Sequence, residues 1–168
     1  YAGDMRLDIQ HDTTFDSGYA VCFEEIVNHI AALTPSDMPI DGALRKENRG
    51  YPSIAIREAV ANALIHQEFS LIGSCAKVEI FDHKIEITNP GIPLVDTIRI
   101  IDNPPQSRNE YLADLMRRLR ICEELGSGWD KIAISCELKQ LPAPKIEICG
   151  ENTKVTLYTE TPYSNISP

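Results

Sequence analysis

The stretch from Ser53 to Phe69, SIAIREAVANALIHQEF, decides how the rest of this chain is arranged. Read at helical period, Ile56, Val60 and Leu64 form one apolar row, widened by Ile54, Ala61 and Ile65. A second row, Glu58, Asn62 and His66, runs along roughly the opposite side and drifts by about 40° per step. Ser53, after Tyr51-Pro52, is placed to cap the helix start. The second row is unlike an ordinary solvated face, which carries Lys, Glu and Arg. An Asn inside a helix costs about half a kcal/mol relative to Ala, and its neighbours here are Ala61 and Ala63. A short carboxylate one turn from a short amide on an alanine-rich helix predicts a site facing a pocket. The alternative is a pair that merely caps or solvates a surface, and spacing alone leaves both open.

At 168 residues the chain has one domain's worth of sequence, with room for an appended terminal segment. Its 43% hydrophobic and 24% charged content is that of a globular protein and argues against extensive disorder. The apolar runs are too short to span a bilayer and no signal peptide opens the chain, so a cytoplasmic location is expected. The start at Tyr1 rather than Met reads as a fragment of a longer protein. A net charge of −9 disfavours this piece as a main nucleic-acid surface and leaves DNA contact to another domain of the parent. The five cysteines are odd in number and widely spaced, with no C-x-x-C and no His at ligand spacing, which argues against zinc and suits a reducing compartment.

Along the chain, residues 1–35 read as an N-terminal helical segment joining a preceding domain, with Asp16 or Ser17 capping a helix that ends near Leu33. Residues 36–160 form the main domain, and 161–168 a frayed tail. After a Pro/Gly-containing loop and the Ser53–Phe69 helix, Cys75–Phe81 and Lys84–Thr88 alternate as a hairpin around Asp82-His83, with Glu79 and Glu86 on its polar face. The second strand runs into Asn89-Pro90-Gly91, a turn at a strand end, where binding loops often sit. Ser107 and Glu110 have capping-box spacing ahead of a helix carrying Tyr111, Leu112, Leu115, Met116 and Leu119. A glycine pair, Gly126 and Gly128, opens another helix to about Leu138, and Lys145–Cys149 with Thr153–Glu160 makes a final hairpin. Strands clustered apart from helices predict an α+β fold, a two-layer α/β sandwich whose largely antiparallel or mixed sheet is covered on one face by helices.

Three blocks in order, YPSIAIREAVANALIHQEF, IEITNPGIPL and SRNEYLADLMRRLRICEELGSGWDKI, resemble the GHKL-type (Bergerat-fold) ATPase domain of bacterial RecG-related, helicase-like transcriptional regulators. The resemblance covers about Tyr51 to Glu160. It implies a sandwich around ATP, with an AlbA/Schlafen-like module preceding it. It also implies roles. Glu58 matches the glutamate that orients the attacking water, and Asn62 the asparagine that ligates Mg²⁺ on the phosphates. His66 is within reach of a phosphate. Asn89 and Gly91 fall at the Asp-x-Gly-x-Gly adenine turn, with Asn89 for the Asp and Pro93 for the second Gly. Gly126, Ser127 and Gly128 match the glycine-rich block over the phosphates, and Arg108 and Asn109 the lid.

Two functions remain open. One is an ATP-binding domain, with slow Mg²⁺-dependent hydrolysis, that switches dimerisation or DNA binding of its parent. The other is a non-catalytic dimerisation or interaction module with a decayed pocket. A helicase motor is disfavoured, because no G-x-x-x-x-G-K-[ST] loop is present.

Overall fold

A computed structural model describes residues 1–3, 6, 8–34, 50–94, 106–122 and 128–159. The elements are α1 (Tyr19–Leu33), α2 (Ser53–Ile65), β1 (Lys77–Ile80), β2 (Lys84–Pro90), α3 (Glu110–Arg118), α4 (Gly128–Leu138), β3 (Lys145–Cys149) and β4 (Asn152–Tyr158). The four strands pair in the order β1-β2-β4-β3, every described pairing antiparallel. The fold is α+β, with helices over one face of the sheet.

Register follows from strand alternation. Val78, Ile87, Val155 and Ile146 line up across the four strands, as do Ile80, Ile85 and Leu157 across three. These apolar rows form the inner face: Ile85, Ile87 and Leu157 are completely or almost completely buried, each worth about 1.5–3 kcal/mol of burial. Above them lies α2, buried on nearly every side through Ala55, Ile56, Ala59, Val60, Ala61, Ala63, Leu64 and Ile65. A helix enclosed all round is a core helix, and its alanines let neighbours approach closely. α1 adds Phe23 and Ile30 to the same core, α3 adds Ala113 and Met116, and α4 adds Ile132 and Cys136. Arg57 of α2 ties α1 to the turn that follows α3. Its guanidinium pairs with Glu24 at 2.6 Å, lies 4.9 Å from the Phe23 ring centroid and donates to Arg120 O.

Several local expectations need correction. Ile54, expected to widen the apolar row, is 41% exposed. Pro52, not Ser53, is the cap of α2, with its φ of −62° already near helical and its carbonyl accepting from Ile56 N–H. Gly18, not Asp16 or Ser17, precedes α1. No capping box opens α3. The cap is Asn109, no side chain closes it, and the Asn109 amide nitrogen turns instead to Ile65 O and Gln67 O. On α3 only Leu112, Ala113 and Met116 face inward, while Tyr111, Leu115 and Leu119 are exposed.

The outer face of the sheet is polar, as alternation predicts, but two of its carboxylates are buried. Glu79 and Glu86 are direct cross-strand neighbours, a repulsive pair if left alone. Arg6 bridges them at 2.6 and 3.1 Å, with Lys77 on Glu79 and Lys84 and Lys154 on Glu86. Burial raises the Glu86 pKa, but the Lys84 hydrogen bond and the charges of Lys154, Lys84 and Arg6 together outweigh it and hold the carboxyl below its usual range. The Asp82-His83 turn closes as expected, with Phe81 N–H donating to Lys84 O at 2.9 Å.

Candidate functional site

Glu58 and Asn62 sit one turn apart in the middle of α2, and what covers them is the first residue of α4. A Cβ placed on Gly128 would stand 3.1 Å from Glu58 Oε2 and 3.1 Å from Asn62 Nδ2, with Asn62 Oδ1 at 3.4 Å. Neither side chain points into bulk water: Glu58 is buried and Asn62 half-buried. No bulky group stands at Gly128 itself, because glycine brings the α4 backbone there without a side chain. An α-helix N-terminus beside a carboxylate is also electrostatically favourable. Cys122 is close by. Burial pushes its thiol pKa up and the Glu58 carboxylate adds to the rise, so it stays protonated at neutral pH and is a poor nucleophile or metal ligand.

The far end of α2 meets the end of β2. Asn89 is buried, and its Nδ2 donates to Pro90 O at 3.2 Å and to His66 O at 3.5 Å. Those two carbonyls orient the amide, leaving Oδ1 as its acceptor. Gly91 turns the chain at φ +106°, a region that glycine tolerates and L side chains avoid. It is held on both sides: its N–H donates to Glu151 O at 2.8 Å and its carbonyl accepts Thr153 Oγ1 at 2.6 Å. Thr153 stands directly opposite Asn89 in the β2–β4 register. Sequence reading missed Thr153, because only the pairing of β2 with β4 brings it to the turn.

His66 follows the last residue of α2. Burial lowers the pKa of its ring and the Arg108 charge lowers it further, so the imidazole is neutral at pH 7. Arg108 Nη1 donates to His66 O at 3.2 Å and Nη2 to Ile92 O at 3.0 Å, while Nε pairs with Glu68 Oε2 at 3.0 Å. Asn109 Nδ2 donates to Ile65 O and Gln67 O, each at 2.7 Å. The site residues expected from sequence thus form two groups joined by α2: Glu58, Asn62 and Gly128 at its middle, and His66, Asn89, Gly91, Arg108 and Asn109 at its end. Gly126 and Ser127 lie outside the described residues, as do residues 35–49 and 95–105.

Over residues 73–157, half of its length, the chain matches the HATPase family model described as "Putative ATP-dependent DNA helicase recG C-terminal". The chain belongs to this family. The matched stretch contains the turn, the Arg108-Asn109 pair and the glycine block, but begins after α2, so Glu58 and Asn62 stand on their geometry. The crystal structure of the DIP2311 protein from Corynebacterium diphtheriae has the same fold, with a TM-score of 0.69 at 23% identity over 83% of this chain. The chain spans 29% of that protein's length. No curated protein matches it. Among the described residues no helix is long and apolar enough to cross a membrane, and no group of three or more His, Cys, Asp and Glu is placed to hold a metal.

Proposed function

We propose that this HATPase-family domain binds ATP with Mg²⁺ against α2 and hydrolyses it slowly, as a GHKL-type nucleotide switch in a bacterial transcriptional regulator. The observation that carries the reading is the convergence of the Glu58 carboxylate and the Asn62 amide on Gly128, the residue that opens α4. Glu58 is the residue to hold and deprotonate an attacking water. Asn62 Oδ1 supplies an oxygen donor for the cation. Mg²⁺ keeps several waters and takes most other ligands from substrate phosphates, so a single protein amide suits it better than an all-protein cage would. When bound, Mg²⁺ would neutralise phosphate charge. Gly128 supplies a backbone N–H at the start of α4 for an anionic oxygen, and Gly126 and Ser127 precede it in the sequence.

At the other end of α2, Asn89 Oδ1 accepts from the exocyclic amino group of adenine. Guanine would present an oxygen there, so ATP is favoured over GTP. An amide in place of a carboxylate loses charge assistance worth about 1 kcal/mol, roughly fivefold in affinity. His66, uncharged near pH 7, contributes a hydrogen bond to phosphate at most. DNA contact belongs to another part of the parent protein, given the net charge of −9.

The experiment is nucleotide hydrolysis by the purified chain with Mg²⁺. The reading expects slow ATP turnover that Glu58→Gln lowers by about 10²-fold or more. A second reading, the non-catalytic interaction module with a decayed pocket, is favoured by the two departures at the adenine turn, Asn89 in place of Asp and Pro93 in place of the second Gly. No binding at millimolar nucleotide would select it, whereas saturable ATP binding without turnover would leave a nucleotide switch that does not hydrolyse.

A further inference from the structure

We propose that Arg108 and Asn109 are positioning residues that latch the end of α2 to the start of α3 and to the Asn89–Gly91 turn, and so fix the distance between the two halves of the site. The inference rests on the nucleotide reading above for its consequence, but not for its geometry. A helix ends with carbonyls that have no partner within the helix. Here three consecutive carbonyls at and just past that end, those of Ile65, of the cap residue His66 and of Gln67, are taken by two adjacent side chains from 42–44 residues away. Asn109 spends its amide nitrogen on the first and third, Arg108 one arm on the second.

The remaining contacts of Arg108 reach the turn. Nη2 donates to Ile92 O and Nε pairs with Glu68, whose own N–H donates to Pro90 O at 2.9 Å. His66 O is the shared acceptor of Arg108 and Asn89. The arrangement needs Gly91. A Cβ there would collide with Arg108 Nη1 and lie 2.9 Å from Glu68 Cβ. A planar guanidinium addresses three acceptors in fixed directions, which the single ammonium of Lys cannot reproduce, and a cation at a helix C-terminus is favoured by the helix dipole. To serve instead as a phosphate ligand, Arg108 would have to give up His66 O, Ile92 O and Glu68.

The test compares the full chain with Arg108→Lys, Arg108→Gln and Asn109→Ala by two readouts. The first needs no nucleotide: hydrogen exchange at the Glu68 and Gly91 amides, which donate to Pro90 O and Glu151 O. A latch predicts exchange about tenfold faster at these amides in all three variants, with β4 protection retained. The second is ATP affinity. A latch predicts that Lys and Gln weaken it alike, whereas a phosphate ligand would be largely rescued by Lys. Unchanged exchange in Asn109→Ala and Arg108→Lys, or unaltered affinity in Arg108→Lys with loss in Arg108→Gln, overturns the proposal. If the unaltered chain binds no ATP, the nucleotide reading falls, and exchange alone upholds or overturns the latch.

Discussion

The two halves of the site are held in different ways. At the end of α2, directional bonds dominate: Asn89, Arg108 and Asn109 are fastened to backbone carbonyls, and Gly91 sits at a φ that other residues resist. At the middle of α2, Glu58 and Asn62 are covered by a glycine that contributes no side chain. One end is built so that little can be altered without disturbing the fold. The other sets a carboxylate and an amide beneath the start of α4, where Gly128 keeps the space beside them clear of a side chain.

The largest expected effect falls on that chemical half. Glu58→Gln, which keeps the side chain's size and removes its charge, should lower ATP turnover by about 10²-fold or more with the chain still folded, as steady-state kinetics and denaturation together would show. A variant that lost its fold instead would erase the contrast. Gly91→Ala should do the reverse, combining backbone strain with a steric collision to cost about 2–4 kcal/mol in equilibrium unfolding. Asn89→Asp sharpens the point. A carboxylate would suit an adenine amino group, yet here it would face Pro90 O and His66 O without a donor, so unfolding should show a loss of about 1–3 kcal/mol. Gly128→Ala, whose new methyl meets only side-chain ends at 3.1 Å, should cost under about 1 kcal/mol.

The smallest effect is in pH. The folded-state pKa of His66 lies below 6.5, so protons bind more readily to the unfolded chain. Stability should therefore fall as pH drops below 6.5 and stop falling from this cause once the folded pKa is passed. The contribution of Glu86, whose pKa is held below 4.5, is present above that value and is lost only at lower pH. Denaturation of the unaltered chain and His66→Gln between pH 7.5 and 5 separates the two, since the variant should lack the first decline.

What could be read from the sequence was whatever local period encodes. The α2 helix, the Asp82-His83 hairpin and the Lys145–Tyr158 hairpin all announce themselves by alternation or by three- and four-residue steps, and the α+β class follows from their order. Partnerships between distant residues could not be read. Arg6 covers Glu79 and Glu86 from more than 70 positions away, which made two buried carboxylates look like solvated ones. Asn109 looked like a residue inside a Ser107–Glu110 capping box, and only the fold brings the carbonyls of Ile65 and Gln67 to its amide. Ile54 shares the helical row of Val60-side neighbours by period, yet lies where no element packs on it closely enough to bury it.

The most direct test of the central claim is a titration of the chain with a fluorescent ATP analogue, with and without Mg²⁺, in unaltered and Asn62→Ala forms. The account predicts saturable binding that Mg²⁺ strengthens, and a loss of that Mg²⁺ effect in Asn62→Ala. No binding at millimolar nucleotide, or binding that neither Mg²⁺ nor Asn62→Ala changes, would contradict it.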